Sequence, residues 1–343
     1  MVTPKKANIY DVAKRAGVSH QTVSRVLNNH PNLKAATREK VEEAIRELHY
    51  RPSQAARQLV TSQSNLIGIL LTESDLYGPS SILNAMEREA RSAGYSVLSI
   101  SIQADDPDSW KEGVEQLRIL DIDGLVTIAL PKALVDQIAK SLPNVTFVVI
   151  DTEPSDDFDV INIDNIYGAK LAIDYLVKLG HTEIAHVSGP VDAYEAQMRM
   201  RGYETAMKKA KIKPEVIEGD WSIETGYRIG KELAERKNLP TAIFSANDHL
   251  ALGLLKAFHQ SGLRVPEDIC LIGFDNIPES SYFTPSLTTV KQDFNSVGRM
   301  AMSKVLSQLK ESVSRETIMI EPELLIKEST GPLQKKLGRK NVS

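Results

Sequence analysis

Cysteine is almost missing from this chain. In 343 residues there is one, Cys270. No internal disulfide can form, and so low a thiol content fits a reducing compartment. Within ICLIGFD, Cys270 reads as a buried strand residue. Long apolar runs are missing as well. Leu66–Leu71, one of the longest, already contains a glycine and falls far short of the roughly 20 residues a membrane helix needs. No apolar stretch follows Met1, where the chain reads VTPKKANIYD. Neither a secretory leader nor a membrane partner is therefore expected, and the expected location is the cytoplasm. There is no His/Cys spacing suited to a metal and no G-x-G-x-x-G phosphate fingerprint. No metal and no cofactor are expected.

What is present is unevenly distributed. Hydrophobic residues make up 42% and charged residues 25%, as in soluble globular proteins, and the length favours two or three domains. Residues 1–62 hold 11 Lys/Arg against 5 Asp/Glu, a balance of +6, which leaves −10 on the remainder of a chain whose net charge is −4. A basic head on an acidic body predicts that the head alone meets a polyanion.

Within that head, YDVAKRAGVSHQTVSRVLN reads as two short helices joined by a tight turn. Val12, Ala13 and Ala16 form the inner face of the first, and Gly17 supplies the left-handed residue that ends it. Ser19 is placed to cap the second, and Val23, Val26 and Leu27 bury its inner side. His20, Gln21, Thr22, Ser24, Arg25 and Asn28 remain outward. Amide and guanidinium groups on an exposed helix face suit base edges and phosphates. A third helix is expected over TREKVEEAIRELHY, capped by Thr37, with Val41, Ile45 and Leu48 closing a three-helix core. Pro52 then blocks continuation. Ser53–Val60 is about two turns long and too short to persist alone. It reads either as a flexible linker or as a hinge helix that orders on DNA and drives Leu59 between base pairs in the minor groove.

From Leu66 the pattern alternates between Val/Ile-rich runs and amphipathic helices, in two rounds. The expectation is an α/β body of two doubly wound lobes with parallel strands. Helices are expected at Ser81–Ala93, Pro107–Leu120, Ala133–Leu142, Tyr167–Leu179, about Ala193–Ala210, Glu224–Arg236 and Asp248–Ser261. Ligands of such sheets sit beyond the carboxyl ends of the strands. There the sequence places Asp151, Arg199, Trp221, Asn247, Asp248 and Asp275, with Gln292 and Phe294 in TVKQDF. Forked hydrogen-bonding groups around an aromatic platform suit a neutral polyol ring. Asp151 and Asp275 as a glycosidase-type acid/base pair is the alternative. No nucleophile with a paired base is visible, so an enzyme is not expected. Asp248 has a plainer reading as a helix cap, and Phe294 one as packing between lobes.

IYDVAKRAGVSHQTVSRVLN, TREKVEEAIRELHYRPSQAARQL, SGP followed by RGY, SANDHLALG and GFDNIPESSYFTPSLTTVKQDF together resemble the LacI/GalR family of bacterial transcription regulators, from about residue 8 to 330. The resemblance implies a helix-turn-helix domain over 1–52, a hinge helix and linker over 53–64, a periplasmic-binding-protein-like effector and dimerisation domain over 65–330, and a disordered tail over 331–343. By position, His20, Gln21 and Arg25 would read bases of a near-palindromic double-stranded operator. Tyr10, Ser19, Thr22, Ser24, Asn28 and Thr37 would hold phosphates, and Leu59 would be the wedge. Ile82, Asp151, Arg199, Trp221, Asn247, Asp275, Gln292 and Phe294 would contact a galactoside-like sugar whose binding releases a homodimeric repressor. A corepressor, either a purine or a phosphoprotein, is the alternative effector. The pattern departs from the family at four places. His20 stands for a tyrosine, Val60 for a smaller hinge residue and Glu195 for a serine, and Ile128–Ala129 lacks an asparagine. The tail lacks leucine heptads, so a dimer and no tetramer is expected.

Overall fold

The computed structural model describes residues 7–27, 33–50, 63–72, 76–311 and 314–333. The chain divides into two compact units, 1–64 and 65–343. Asn28, Leu59, the hinge stretch 53–60 and the tail beyond 333 lie outside the described residues.

In the first unit, α1 (Ile9–Ala16) and α2 (His20–Leu27) flank the turn at Gly17, and α3 (Ala35–Glu47) packs across both. Gly17 is left-handed, at φ 68° and ψ 33°, as its place in the turn required. The core is small: Val12, Ala13, Val23, Val26, Val41 and Ala44 are buried, with Ile45 and Leu48 packed at its margin. Local hydrogen bonds support it. Asn8 and Asp11 form a reciprocal capping box on α1, which the sequence reading did not include. Ser19 Oγ accepts from Thr22 N at 3.2 Å, the expected cap of α2.

The expected cap at Thr37 is not found. The helix starts two residues earlier, with Lys34 at the cap position and no side-chain capping bond. Lys34 already has an extended backbone, and its carbonyl accepts from Thr37 N and Arg38 N. The good helix formers Ala35 and Ala36 therefore join the first turn, and Thr37 becomes its third residue. The far end stops at Glu47, short of the expected Tyr50, because His49 turns to φ 48°.

The second unit holds two six-stranded sheets. Its elements in order are β1 (Leu66–Thr72), α4 (Tyr77–Ser92), β2 (Ser96–Ile102), α5 (Pro107–Ile119), β3 (Gly124–Ile128), α6 (Lys132–Ser141), β4 (Thr146–Ile150), β5 (Asp159–Ile163), α7 (Asn165–Lys178), β6 (Ile184–Val187), α8 (Tyr194–Lys209), β7 (Glu215–Ile217), α9 (Ile223–Ala234), β8 (Ala242–Ser245), α10 (Asp248–Gln260), β9 (Cys270–Asp275), β10 (Thr288–Lys291), α11 (Phe294–Lys310), β11 (Thr317–Ile320) and β12 (Glu323–Leu325). The first sheet runs β11-β5-β4-β3-β1-β2 and is wholly parallel. The second runs β12-β10-β9-β8-β6-β7, with β12 alone antiparallel. Buried helix faces cover both sides of each sheet, as continuous apolar strands demand.

Helix α4 begins at Tyr77, four residues before the expected Ser81. Pro79 does not prevent this, since a first-turn residue needs no intrahelical N–H bond. The larger departure from the sequence reading is the return of the chain. Helix α11 leaves the second sheet and packs Val297, Ala301, Met302 and Val305 into the first lobe's core, and β11 adds an edge strand there. The lobes are thus joined by three passages, after Ile163, Lys291 and Ile320.

In the second lobe α9 and α10 cross almost in backbone contact. A Cβ at Gly253 would strike the backbone of Ile223 and Tyr227, and one at Gly226 the carbonyl of Leu250. Neither backbone can yield as a side chain would. Gly253→Ala is expected to destabilise the second unit by about 3 kcal/mol, read as a lowered urea midpoint.

Candidate functional site

The carboxyl ends of the strands in the two lobes face one another across a crevice, lined by Leu76, Gly78, Pro79, Ile82, Ile128, Ala129, Asp151, Glu195, Arg199, Trp221, Asn247, Asp275, Gln292 and Phe294. It encloses about 490 Å³ of space, part of it continuous with solvent. All eight side chains expected at an effector site line this one crevice. Two features went unread in the sequence: the apolar strip Leu76–Gly78–Pro79 from the first turn of α4, and Asn165, whose place just after β5 was its only signal. Glu195 stood out only as a departure from a pattern. The walls differ in chemistry. Among the described residues the first lobe offers Ile82, Ile128, Ala129 and Phe294, with Asp151 as the one ionisable group, whereas the second offers Glu195, Arg199, Trp221, Asn247 and Asp275.

Each side chain has a local cause for its position. Arg199, on α8, is only 4% exposed. Its Nε donates to Asn165 Oδ1 at 2.8 Å, and Nη1 donates to the Ala246 carbonyl at the end of β8. Its guanidinium lies 4.0 Å from the ring centroid of Phe274 and 5.4 Å from that of Trp221. Asp275 ends β9. It accepts from Gln292 Nε2, and its Oδ1 stands 3.8 Å from Arg199 Nη1. Trp221 packs against Gly189, where any Cβ would collide with the indole. Asn247 caps α10 through Leu250 N and donates to the Trp221 carbonyl at 3.1 Å, so its amide fixes the platform as well as the helix. Phe294 meets Tyr77 edge-on at 5.8 Å and is buried in the first lobe's core while still reaching the crevice.

Asp248 does not cap its helix, since Asn247 takes that place. It is fully buried and accepts from Thr289 Oγ1 at 2.6 Å and Ile277 N at 2.9 Å, which ties α10 to β10 behind the crevice.

Backbone strain gathers at the same place. Ala129, Asp151 and Asp275 have φ of 53°, 57° and 109°, each immediately at or after the end of a strand that faces the crevice. Asparagine and aspartate tolerate the left-handed region better than alanine does. That gives a backbone reason for an asparagine at position 129 and marks Ala129 as the costlier choice.

Charge is unbalanced. Burial raises the Asp151 carboxyl to about 7, with Glu195 and Asp275 pushing the same way and Arg199 opposing. Burial likewise raises Asp275 to about 6, against Arg199 and the Gln292 hydrogen bond, and raises Glu195 against Arg199. Behind Arg199, burial holds His186 down at about 4. Among the described residues no group of three or more His, Cys, Asp or Glu side chains is arranged to hold a metal ion, and no helix is long and apolar enough to cross a membrane. A wider hollow lies at the opposite, amino-terminal edge of the first sheet, against Asp136, Lys140, Phe147 and Arg315, and contains none of the expected residues.

In the first unit Gln21 and Arg25 are exposed on α2 four residues apart, so they share a face, and His20 is exposed beside them. Tyr10, 64% exposed, lies with its ring 5.2 Å from that of His20. Ser24, Thr22 and Thr37 are half-buried, with the Thr22 hydroxyl 2.9 Å from that of Ser19.

An exposed, donor-rich second helix in a three-helix head, on a chain whose body is a two-lobed α/β unit, is the make-up of a transcription regulator. Comparison with known proteins agrees. Residues 8–53 match the bacterial regulatory proteins of the lacI family, and residues 173–330 match the periplasmic binding protein-like domain. The lactose operon repressor of Escherichia coli (strain K12) is 36% identical over 329 residues, covering 95% of this chain and 91% of that one. The ribose operon repressor of the same strain is 34% identical over 325 residues, covering 93% and 98%. A solved lac repressor dimer bound to operator and the anti-inducer ONPF superimposes with a TM-score of 0.89 at 34% identity, covering 95% of this chain and all of that one. The chain belongs to the lacI family of bacterial regulatory proteins and is a DNA-binding transcriptional repressor, not an enzyme.

The raised carboxyls bind their protons more tightly in the folded chain than in the unfolded one. They therefore favour folding below about pH 4 and lose that contribution as pH climbs through about 6 to 7. Asp151→Asn keeps a side chain that tolerates the left-handed backbone and removes the titration. The variant is expected to be more stable than the parent at pH 8, by about 1–2 kcal/mol, with the gain gone below pH 4. Urea midpoints at the two pH values check this.

Proposed function

We propose that this repressor is a cytoplasmic homodimer that binds a near-palindromic operator and is released when a small sugar enters the interlobe crevice. One observation supports the effector reading above all: the eight side chains expected to hold a sugar converge on a single crevice, between a tryptophan platform and a buried arginine. Hydroxyls have both donors and acceptors within reach, and the Trp221 ring offers a face for stacking. The relative solved with operator is a dimer, and two-fold symmetry needs two half-sites. A sugar can shift the repressor only by binding one lobe arrangement better than the other, and the crevice, with both lobes in its walls, is where that difference is felt.

On DNA, His20, Gln21 and Arg25 read base edges while Tyr10, Ser19, Thr22, Ser24, Asn28 and Thr37 hold the backbone. Leu59 is the minor-groove wedge.

Trp221→Ala, whose ring packs on Gly189 at the crevice wall, is expected to keep operator affinity within about twofold and to weaken sugar-induced release at least tenfold in a gel-shift titration over a sugar panel. Normal release from that variant would overturn the crevice reading. Gln21→Ala and Arg25→Ala are each expected to cost about 1–3 kcal/mol on an operator selected from random duplexes, with a much smaller loss on unselected DNA. Equal losses on both would remove base reading from α2.

A further inference from the structure

Resting on the crevice as the effector site, the structure carries a narrower reading of the ligand. Among the described residues three carboxylates line the crevice, Asp151, Glu195 and Asp275, and Arg199 is the one cation. Arg199 is already engaged in part. Its Nε donates to Asn165 and its Nη1 to the Ala246 carbonyl, and Nη1 also stands 3.8 Å from Asp275, which accepts from Gln292 as well. Asp151 and Glu195 have no ion pair and no side-chain hydrogen bond with any described residue. Glu195 accepts only from its own backbone N–H. They rise from opposite walls, Asp151 at the end of β4 in the first lobe and Glu195 in the first turn of α8 in the second, and the Glu195 charge is felt at both Asp151 and Asp275.

Two carboxylates facing across a low-dielectric gap cannot both stay ionised without a counter-charge. Burial lifts both carboxyls toward neutrality, and Arg199 offsets this only in part. A metal ion does not supply the counter-charge, because no described carboxylates are grouped to hold one. The compensation that also closes the gap between the lobes is a cation on the ligand. An anionic ligand, such as a sugar phosphate, would add to the excess.

We propose that the effector is a sugar carrying a basic nitrogen, and that Asp151 and Glu195 hold its ammonium group between the lobes while Trp221 carries the ring. The ammonium supplies that counter-charge and gives each carboxylate a charge-assisted bond, stronger than the bond a hydroxyl makes to a neutral carboxyl. Because one partner comes from each lobe, the nitrogen also bridges the two walls, so Glu195 is the residue that sets specificity.

The test is calorimetric titration of the full chain at pH 7.0. The probes are hexoses with an amine at C2, with an amine at C6 and with nitrogen in the ring, each set against its neutral parent, together with the 6-phosphates. At least one aminated probe is expected to bind tenfold or more tighter than its parent, and the phosphates are expected not to bind. Glu195→Gln, which keeps the shape and removes the charge, is expected to reduce that preference to threefold or less. Neutral sugars that bind and release operator as well as or better than every aminated probe would overturn this inference and leave the sugar-release reading intact. A preference for amines that survives Glu195→Gln would overturn the role of Glu195. Failure of every probe, charged or neutral, to bind would overturn both readings.

Discussion

The buried Arg199 guanidinium is the constraint around which the second unit is arranged. It is a full charge with almost no solvent, so every direction around it must be satisfied. Asn165 meets it from the first passage between the lobes, the Ala246 carbonyl from the end of β8, Asp275 from the end of β9, and Phe274 and Trp221 present ring faces. One cation thereby sets the ends of two strands, the start of α7 and the aromatic platform in a common frame. The same demand explains why the neighbouring carboxyls are shifted: a single positive charge already shared with amide and carbonyl partners cannot hold three carboxylates ionised.

Around that frame the crevice is built from positions where ordinary strand geometry ends. Ala129, Asp151 and Asp275 all adopt positive φ there, which costs free energy. Capping bonds at the same level, Asn247 for α10 and Asp164 for α7, satisfy helix ends that would otherwise face the cavity with bare N–H groups. The passage after Lys291 borders the place where a ligand would sit, through Gln292, and the passage after Ile163 reaches Arg199 through Asn165.

The head solves a different problem. Its few buried side chains are small, and a three-helix core of this size leaves little margin. Short-range devices make up the difference: the Asn8–Asp11 box, the Ser19 cap, the left-handed Gly17 and an Arg15–Glu47 pair at 2.7 Å between α1 and α3. Burying only the inner faces leaves Gln21 and Arg25 free to be presented outward on a short, firmly capped helix.

Much of this was legible in the residues themselves. Local periodicity fixed the turn at Gly17, the cap at Ser19, the alternation of strands and helices and the placing of Asp151, Trp221, Asn247 and Asp275 at strand ends, because each depends on a few neighbouring residues. Boundaries set by backbone competition were read less well, as at Thr37 and Ser81, where the chain could enter the helix sooner at no cost. What only the tertiary structure decided was non-local. Helix α11 and β11 return to the first lobe because its core and sheet edge accept them, and nothing in their own sequence names that partner. Asp248 reads as a cap in isolation and becomes a buried acceptor once Thr289 and Ile277 are brought to it. The charge balance of the crevice likewise depends on how near Glu195 comes to Asp151 and on how fully Arg199 is used elsewhere. Electrostatic energy depends on distance and solvent exclusion, and a linear order of residues carries neither.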